Sequence, residues 1–424
     1  MKIIANNKIK EKMYVEKLDN GLTVIVVPKK GEQKKYIIWG VNFGSVDNKF
    51  MIDNEVIKIP DGIAHYLEHK MFEQRSGINS LDTLSSLGVN ANAFTTNNFT
   101  AYLYECTDNF YPALDEFMDY VQNPYYTAEN VEKERGIIEQ EISMYDDEPE
   151  WQLYMNAMKL MYHKNPVRID IAGTKETIAE IDENTLYKIY NNFYVPENMA
   201  IAVCGDFEPE KILQEIKNRM TLKMLNKKIT RICEEEPEEI FEKKKVVQME
   251  ISRPIFMIGY KVKLNADENI VKKDLSIEIL SNIIFGSSSN LYKKLYEEGL
   301  ILSEFEFDFE YARDYAHYII QGSSDNPEKV INEIKNEVDF FLNQGIKEED
   351  FSRIKKKVYG ELVKSYNDVQ SIGNSAISNY FKNINIFDFF EEFDSLSKEY
   401  TEQVLKEVFV ENKKVISIVE SKDK

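Results

Sequence analysis

The chain has 424 residues, of which 43% are hydrophobic and 12% aromatic. This length is too great for a single hydrophobic core of ordinary size, so we predict two or more domains. Its 53 basic and 73 acidic residues give a formal net charge of −20, which argues against binding to nucleic acid or to an anionic membrane. The three cysteines are widely spaced and form no CxxC pair, so we expect a reducing compartment and no disulfide framework.

The N-terminal segment is charged and lacks the apolar stretch of a signal peptide, and no later run reaches about eighteen apolar residues. We therefore expect a soluble, cytoplasmic protein.

The first elements, GLTVIVVP and KYIIWGVNFGS, are predicted strands because apolar and β-branched residues dominate both. Hydrophobic periodicity then predicts helices at residues 63–75, 80–87, 111–122, 128–145 and 209–220, and strands at residues 92–106 and 199–207.

A segment of dense mixed charge and low periodicity separates two parts of the chain. We interpret residues 223–245 as a linker. It would join a first α/β domain, residues 1–222, to a second, residues 246–424.

The second part repeats the pattern of the first. The stretch around Glu129 aligns with the stretch around Glu349 at an offset of 220 residues (349 − 129 = 220), and HYLEHKMF aligns with EILSNIIF. The repeat predicts an α+β fold of two homologous α/β units, each a mainly antiparallel sheet packed with helices. In the second copy, Glu278, Ser281 and Asn282 replace the histidines and glutamate of HYLEH, so packing of this helix does not require them.

The stretch DGIAHYLEHKMFEQ concentrates two of the chain's four histidines around one glutamate. On a helix, His65 and His69 stand one turn apart on the same face, so both imidazoles can reach one ion with bonds of about 2 Å. Glu68 lies next to that face, where it can point at a water on the metal. The alternative is that the two histidines cap a helix or line a core.

A catalytic zinc site needs a third ligand, and two imidazoles with one carboxylate leave a position for water. The acidic helix ENVEKERGIIEQEISMYDDEPEW offers Glu134, Glu139 and Glu141. Glu134 and Glu141 are two helical turns apart, and the intervening Ile137 and Ile138 mark their shared face as largely buried. A buried carboxylate requires a cation or hydrogen-bond donors nearby, whereas the alternative is a solvated helix face.

HYLEH followed by ERGIIEQE resembles the insulinase/pitrilysin family of zinc peptidases, in which the zinc motif is inverted to HxxEH. The resemblance implies one Zn²⁺ per chain, bound by His65, His69 and Glu141. It also implies that Glu68 is the base that activates the zinc-bound water and that Glu134 supports the ligands from outside. The chain would then be a metallopeptidase of short or unfolded peptides, with the half-clamshell architecture of the mitochondrial processing peptidase.

The strand NAFTTNNFTAY resembles the edge at which the family binds an extended peptide as an additional strand. Its first four residues, Asn92, Ala93, Phe94 and Thr95, are therefore candidate substrate-binding residues. The alternative is an ordinary strand that lines the core.

The sequence departs from the family where active members place an arginine and, seven residues later, a tyrosine in the unit that completes the site. In LYKKLYEEGLILSEF, Tyr296 stands at the place of the arginine and Leu302 near that of the tyrosine. Bacterial members of this length form two-chain enzymes, so we expect a heterodimer with a homologous partner that lacks zinc ligands and supplies the Arg–Tyr pair. The alternative function is a non-catalytic structural subunit, like the core proteins of respiratory complexes.

Overall fold

The computed structural model describes residues 1–225, 229–265 and 267–422, so residues 226–228 of the predicted linker and residues 266, 423 and 424 of the predicted second domain lie outside the description. The chain forms two compact units, each assembled from separate segments. The first unit comprises Met1–Ile142, Asp170–Ile232 and Val363–Phe387. The second comprises Ser143–Ile169, Cys233–Leu362 and the described residues from Asp388 onward.

The strands and helices are numbered in chain order. The strands are β1 (Lys2–Asn6), β2 (Glu11–Lys17), β3 (Thr23–Pro28), β4 (Lys35–Val41), β5 (Lys49–Ile52), β6 (Glu55–Lys58), β7 (Asn90–Thr95), β8 (Thr100–Cys106), β9 (Met199–Gly205), β10 (Ile229–Arg231), β11 (Lys244–Met249), β12 (Ile255–Lys261), β13 (Glu306–Tyr311), β14 (Ala316–Ser323) and β15 (Lys414–Ser421). The helices are α1 (Ile63–Lys70), α2 (Ser80–Ser86), α3 (Phe110–Gln122), α4 (Ala128–Asp146), α5 (Pro149–Met161), α6 (Lys175–Ile178), α7 (Glu183–Phe193), α8 (Pro209–Arg219), α9 (Ile270–Ile284), α10 (Asn290–Glu297), α11 (Pro327–Gln344), α12 (Glu348–Ser365), α13 (Val369–Phe381), α14 (Asp388–Ser395) and α15 (Lys398–Val408). In the described part of the chain, none of these helices combines the length and the apolarity needed to cross a bilayer.

The sheet of the first unit is covered by helices on both faces. Its strand order is β1-β2-β3-β9-β4-β8-β7, and every residue of the central strand β9 is buried. Successive side chains of β4 point to opposite faces. Trp39 packs its ring against Phe117 of α3, with the centroids 6.2 Å apart, while Tyr36 and Gly40 meet α13 on the other face. Burial on both faces explains why these strands consist of nearly continuous apolar runs.

The second unit repeats the topology of the first. Its sheet has the order β11-β15-β12-β14-β13, which matches β3-β9-β4-β8-β7 strand for strand. In both sheets the first pair, β3–β9 or β11–β15, is parallel and the remaining pairs are antiparallel. This correspondence confirms the predicted α+β fold of two homologous units.

The two units exchange equivalent helices. Helix α5 comes from the first half of the sequence, yet it packs on β12 and β15 of the second sheet. Helix α13 comes from the second half and packs on β4 and β9 of the first sheet. The predicted domains, residues 1–222 and 246–424, are each one continuous segment of the chain. Each compact unit of the structure also contains a helix from the other half of the sequence.

Close packing of the exchanged helices depends on a glycine in the strand beneath each of them. A Cβ on Gly40 in β4 would lie 2.5 Å from Ile377 Cγ2 and 2.8 Å from Phe381 Cε2, both on α13. The corresponding Gly259 in β12 faces Met161 of α5, and a Cβ there would lie 3.0 Å from the methionine methyl carbon. Because carbon atoms pack at about 3.5–4.0 Å, position 40 has no room for a side chain.

Gly40→Ala is therefore expected to destabilise the protein by about 1–3 kcal/mol through overpacking. The control is Gly360→Ala in α12, where an added Cβ meets nothing within 4 Å. Alanine at that position should instead stabilise the helix by about 1 kcal/mol. Urea unfolding of both variants measures the difference, and a Gly40→Ala protein as stable as the native chain would contradict the close approach.

Several predicted elements have different bounds in the structure. The prediction that the helix beginning at residue 63 runs to residue 75 is wrong, because α1 ends at Lys70 and Glu73 then forms a bridge with Asn79. The predicted strand at residues 92–106 is a hairpin of β7 and β8, closed by a turn at residues 96–99. Within the predicted linker, β10 pairs with β5, so part of that segment belongs to a sheet.

Candidate metal centre

Helix α1, which carries the HYLEH motif, begins directly after a glycine. Gly62 has a φ of 92°, in the left-handed region, and a Cβ there would lie 2.4 Å from the carbonyl oxygen of Ala172. Both conformation and space therefore require glycine. The hydroxyl of the fully buried Tyr66 donates a hydrogen bond to the carbonyl oxygen of Val131 at 2.5 Å, which fixes α1 against α4.

The structure brings together both histidines of α1 and one carboxylate of α4. His65 Nε2 lies 3.6 Å from Glu141 Oε1, and His69 Nε2 lies 3.3 Å from Glu141 Oε2. The two imidazole centroids are 4.5 Å apart, as expected for side chains one helical turn apart. One donor atom from each of the three residues lies within 4.8 Å of the others, and we call His65, His69 and Glu141 the donor group.

The spacing of the donor group suits a small divalent cation. Ligands about 2.0–2.1 Å from a tetrahedral Zn²⁺ are about 3.3 Å from one another. The contacts of 3.3 and 3.6 Å in the donor group are close to that value. Two imidazoles and one carboxylate also form a ligand set of catalytic zinc sites, with the fourth position left to water. The residues therefore fit the zinc ion that the motif implies.

Helix α4 supplies two carboxylates to this region. Glu141 belongs to the donor group, Glu134 lies behind His69, and Glu139 is outside the group. Ile138 is 0% exposed and holds the helix against the core, but Ile137 is 48% exposed. The prediction that both isoleucines mark a buried face is wrong for Ile137, because adjacent helical residues point about 100° apart.

Hydrogen bonds among these groups shift their pKa values. Burial alone would lower the pKa of His69, but hydrogen bonds with Glu134 and Glu141 offset burial and raise the pKa to about 10. Burial raises the pKa of Glu134, whereas its hydrogen bond with His69 and the nearby Lys70 bring it below the ordinary value. Hydrogen bonds with His65 and His69 hold the pKa of Glu141 well below its usual range. Both carboxylates of α4 are therefore ionised at neutral pH.

Glu134 contacts His69 from outside the donor group. Glu134 Oε1 accepts a hydrogen bond from His69 Nδ1 at 3.0 Å. With a metal bound, a carboxylate in this position would keep the remaining proton on Nδ1 and leave Nε2 free to act as a ligand.

Glu68 lies beside the donor group on α1, with 9% of its surface exposed. Thr95 Oγ1 of β7 donates a hydrogen bond to Glu68 Oε2 at 2.6 Å. Burial raises the pKa of Glu68, opposed by the neighbouring His65 and by the hydrogen bond from Thr95. A raised pKa suits a carboxylate that exchanges protons near neutral pH.

Strand β7, which contains the four candidate substrate-binding residues, is the last strand of the first sheet and pairs on one side with β8. Asn92 is exposed, Ala93 is buried, and Phe94 and Thr95 are half-buried. Because Thr95 contacts Glu68, the edge of the sheet passes directly beside this carboxylate.

In the second copy of the α/β unit, Glu278, Asn282 and Glu361 stand at the positions of the donor group. Asn282 of α9 stands at the place of the second histidine, and its Oδ1 accepts a hydrogen bond from Lys357 Nζ at 2.6 Å. Lys357 Nζ also lies 3.4 Å from Glu361 Oε1, the repeat counterpart of Glu141. In the second copy Glu361 therefore pairs with a lysine, whereas its counterpart Glu141 in the first copy pairs with two histidines.

The positions expected to hold arginine and tyrosine are both exposed. Tyr296 is 54% exposed at the end of α10, where its ring stacks on Tyr292 with centroids 5.8 Å apart. Leu302 is 68% exposed. Neither residue supplies the guanidinium that the family places here.

Fold and site together define a class of protein: two homologous α/β units, of which the first carries an inverted HxxEH motif with a carboxylate from a later helix. The family model described as insulinase (peptidase family M16) matches residues 55–175, and the one described as peptidase M16 inactive domain matches residues 180–358. The chain belongs to the insulinase family, peptidase family M16.

Known relatives share nearly the whole length of the chain. YmfH of Bacillus subtilis, named an uncharacterized zinc protease, is 37% identical over 96% of this chain and 96% of its own. A protein from Alicyclobacillus acidocaldarius described as an M16-like peptidase has a crystal structure with a TM-score of 0.93 and 30% identity, covering 97% of this chain and 98% of that one. A protease from Helicobacter pylori shares the fold, with a TM-score of 0.84 at 20% identity over 97% and 99% of the two chains. The first two of these relatives support a peptidase-type function.

Proposed function

We propose that the chain is a zinc metallopeptidase that hydrolyses short or unfolded peptides. The observation that carries the proposal is the approach of His65, His69 and Glu141 within 4.8 Å of one another, beside the buried carboxylate of Glu68. The names of the relatives, zinc proteases, support the same function.

The donor group would hold the zinc ion, and Glu134 would keep His69 oriented through Nδ1. When bound, zinc lowers the pKa of a coordinated water to about 7 and polarises a carbonyl oxygen of the substrate. Glu141 suits this role because its depressed pKa keeps the carboxylate ionised across the physiological pH range.

Glu68 would act first as a general base and then as a general acid. Its carboxylate takes a proton from the attacking water as the water oxygen bonds to the peptide carbonyl carbon. It then gives that proton to the nitrogen of the leaving amine as the carbon–nitrogen bond breaks. The hydrogen bond from Thr95, at 2.6 Å, would hold the Glu68 carboxylate in one orientation during both transfers.

A substrate in extended conformation would add to the first sheet at β7. Main-chain hydrogen bonds to the strand give affinity that depends little on the substrate sequence. Asn92, Ala93, Phe94 and Thr95 would form this binding edge. Because Thr95 contacts Glu68, the peptide would run past the base.

The proposed active form is a heterodimer. Tyr296 stands at the place of the arginine but carries no positive charge, and the side chain of Leu302, near the place of the tyrosine, has no hydrogen-bond donor. The two residues therefore do not replace the Arg–Tyr pair, which stabilises charge on the reacting carbonyl. A homologous partner that lacks zinc ligands would supply both donors.

A peptidase assay with an unstructured fluorogenic peptide tests this proposal. The purified chain is assayed alone and with a homologous chain that carries the Arg–Tyr pair but no HxxEH motif. We expect low activity alone, higher activity with the partner, loss on chelation and recovery with zinc. Full activity from the chain alone, eluting as a homodimer in gel filtration, would contradict the partner. Absence of zinc-dependent hydrolysis in every mixture would contradict the peptidase.

We expect one zinc ion per chain, since the second copy has no histidine at the counterpart positions and Lys357 already pairs with Glu361 there. Mass spectrometry of desalted, zinc-loaded protein measures the ratio. The Lys357→Ala variant should also carry one ion, because the counterpart set Glu278, Asn282 and Glu361 contains no histidine and makes a poor zinc site. Two tightly bound ions in the native chain would show that the second copy binds metal as well.

The alternative, a non-catalytic structural subunit, draws on the match of residues 180–358 to a family domain described as inactive. The two functions differ in metal content. A structural subunit would purify without stoichiometric zinc, whereas the peptidase would retain it.

A further inference from the structure

The buried charge of Lys70 has no part in the chemistry proposed above. Its side chain is 0% exposed, although lysine is almost never fully buried unless it is paired. Lys70 is the last residue of α1 and directly follows His69. Its Nζ lies 2.7 Å from Glu73 Oε2 and 3.5 Å from Glu134 Oε2.

Glu134 divides its carboxylate oxygens between Lys70 and His69. Oε2 lies 3.5 Å from Lys70 Nζ, and Oε1 lies 3.0 Å from His69 Nδ1. Because the carboxylate is planar and rigid, rotation toward or away from the ammonium also moves the oxygen that contacts the imidazole. On the opposite side of that ring, His69 Nε2 lies 3.3 Å from Glu141 in the donor group.

The Lys70 ammonium lies between two carboxylates from different segments of the chain. Glu73 is three residues further along the chain, in the bridged segment that follows α1. Glu134 is 8% exposed and comes from a different helix, α4. The ammonium therefore lies between the end of α1 and α4, where its charge attracts the carboxylate that meets His69.

We propose that Lys70 is a positioning residue of the metal centre: its buried ammonium fixes the carboxylate of Glu134 and, through it, the orientation of the His69 imidazole. This inference rests on the proposed function, because it requires the donor group to bind zinc. Loss of an outer partner of a metal ligand typically weakens metal affinity 10- to 100-fold. Removal of the Lys70 charge should act in the same range.

Zinc titration of the metal-free protein against a chromophoric chelator tests the role of Lys70. Lys70→Met keeps an unbranched side chain of similar length and removes the charge, and we expect a roughly 10- to 100-fold weaker zinc affinity. Lys70→Arg retains the charge and should recover most of that affinity. If the methionine variant does not fold, Lys70→Gln gives a second neutral replacement for the same titration.

The matched control is Lys273 of α9 in the second unit, which is 1% exposed and pairs with Glu268 at 2.8 Å and Glu407 at 3.2 Å. Lys273→Met removes an equally buried lysine, so it should change urea stability but leave zinc affinity within about twofold of native. Native-like zinc affinity in Lys70→Met would overturn the positioning role alone. Failure of the native chain to bind zinc would overturn the proposed function together with this inference.

Discussion

Glu68→Gln is expected to retain its zinc ion and to hydrolyse peptides about 10²- to 10⁴-fold more slowly than the native chain. Glutamine has nearly the same size and accepts the hydrogen bond from Thr95, so the local packing is preserved. Its amide cannot take a proton from water, so the proton transfer proposed for Glu68 would be lost. The measurement is the initial rate on the fluorogenic peptide in the presence of the partner chain, together with the zinc content of each preparation.

Glu132→Gln is the control for the Glu68 experiment. Glu132 lies on α4, its side chain is 69% exposed and pairs with Arg135, and it is not in the donor group. The control removes one carboxylate near the site and should leave the rate unchanged. A Glu68→Gln protein that cleaves at the native rate would show that another group is the base.

His65→Ala is expected to lose the metal itself. One of the three proposed ligands is removed, so zinc affinity should fall by more than the 10- to 100-fold expected for an outer partner such as Glu134. Peptide hydrolysis should disappear at zinc concentrations that saturate the native chain. Zinc titration against the chelator gives the affinity, and the peptidase assay gives the rate.

The second copy provides the control for the ligand experiment. Asn282→Ala changes the corresponding helix of that copy, where Asn282 bonds to Lys357. This variant should keep native zinc affinity and content. Stoichiometric, tightly bound zinc in His65→Ala would contradict the assignment of the donor group and would point to other ligands.

Local patterns in the sequence predicted the parts of the site that depend on helical geometry. The spacing of HYLEH predicts that His65 and His69 share a face, and the rings lie 4.5 Å apart in the structure. The repeat at an offset of 220 residues predicts two units of one topology, which the strand orders of the two sheets confirm. Both predictions use only the periodicity of a helix or the similarity of two stretches, so no long-range packing needs to be known.

Features that depend on contacts between distant segments were not predictable in the same way. Lys70 is a charged residue at the end of a motif, and only its ion pairs with Glu73 and Glu134 show why it is buried. The hydrogen bond from Thr95 to Glu68 joins residues 27 positions apart, on a strand and a helix. The sequence gives no comparable signal, because Lys70 follows the polar residues Glu68 and His69 and its burial cannot be recognised from its neighbours.

The exchange of α5 and α13 could not be predicted from the sequence either, because it too depends on contacts between distant segments. The two helices follow α4 and α12 along the chain, so a division at residues 223–245 assigns each helix to its own half. The space above Gly40, filled by Ile377 and Phe381, shows that the partner lies more than 300 positions away along the chain (377 − 40 = 337).

The exchanged helices also constrain how the protein is made. The sheet of the first unit is complete once β9 has been synthesised, but the apolar face around Gly40 stays bare until α13, which ends at Phe381, leaves the ribosome. During that interval the nascent chain exposes an apolar surface to which chaperones and other nascent chains can bind. A fragment that stops within residues 223–245 would keep this surface permanently uncovered, so proteolysis there before synthesis is finished would yield an aggregating piece rather than a working half.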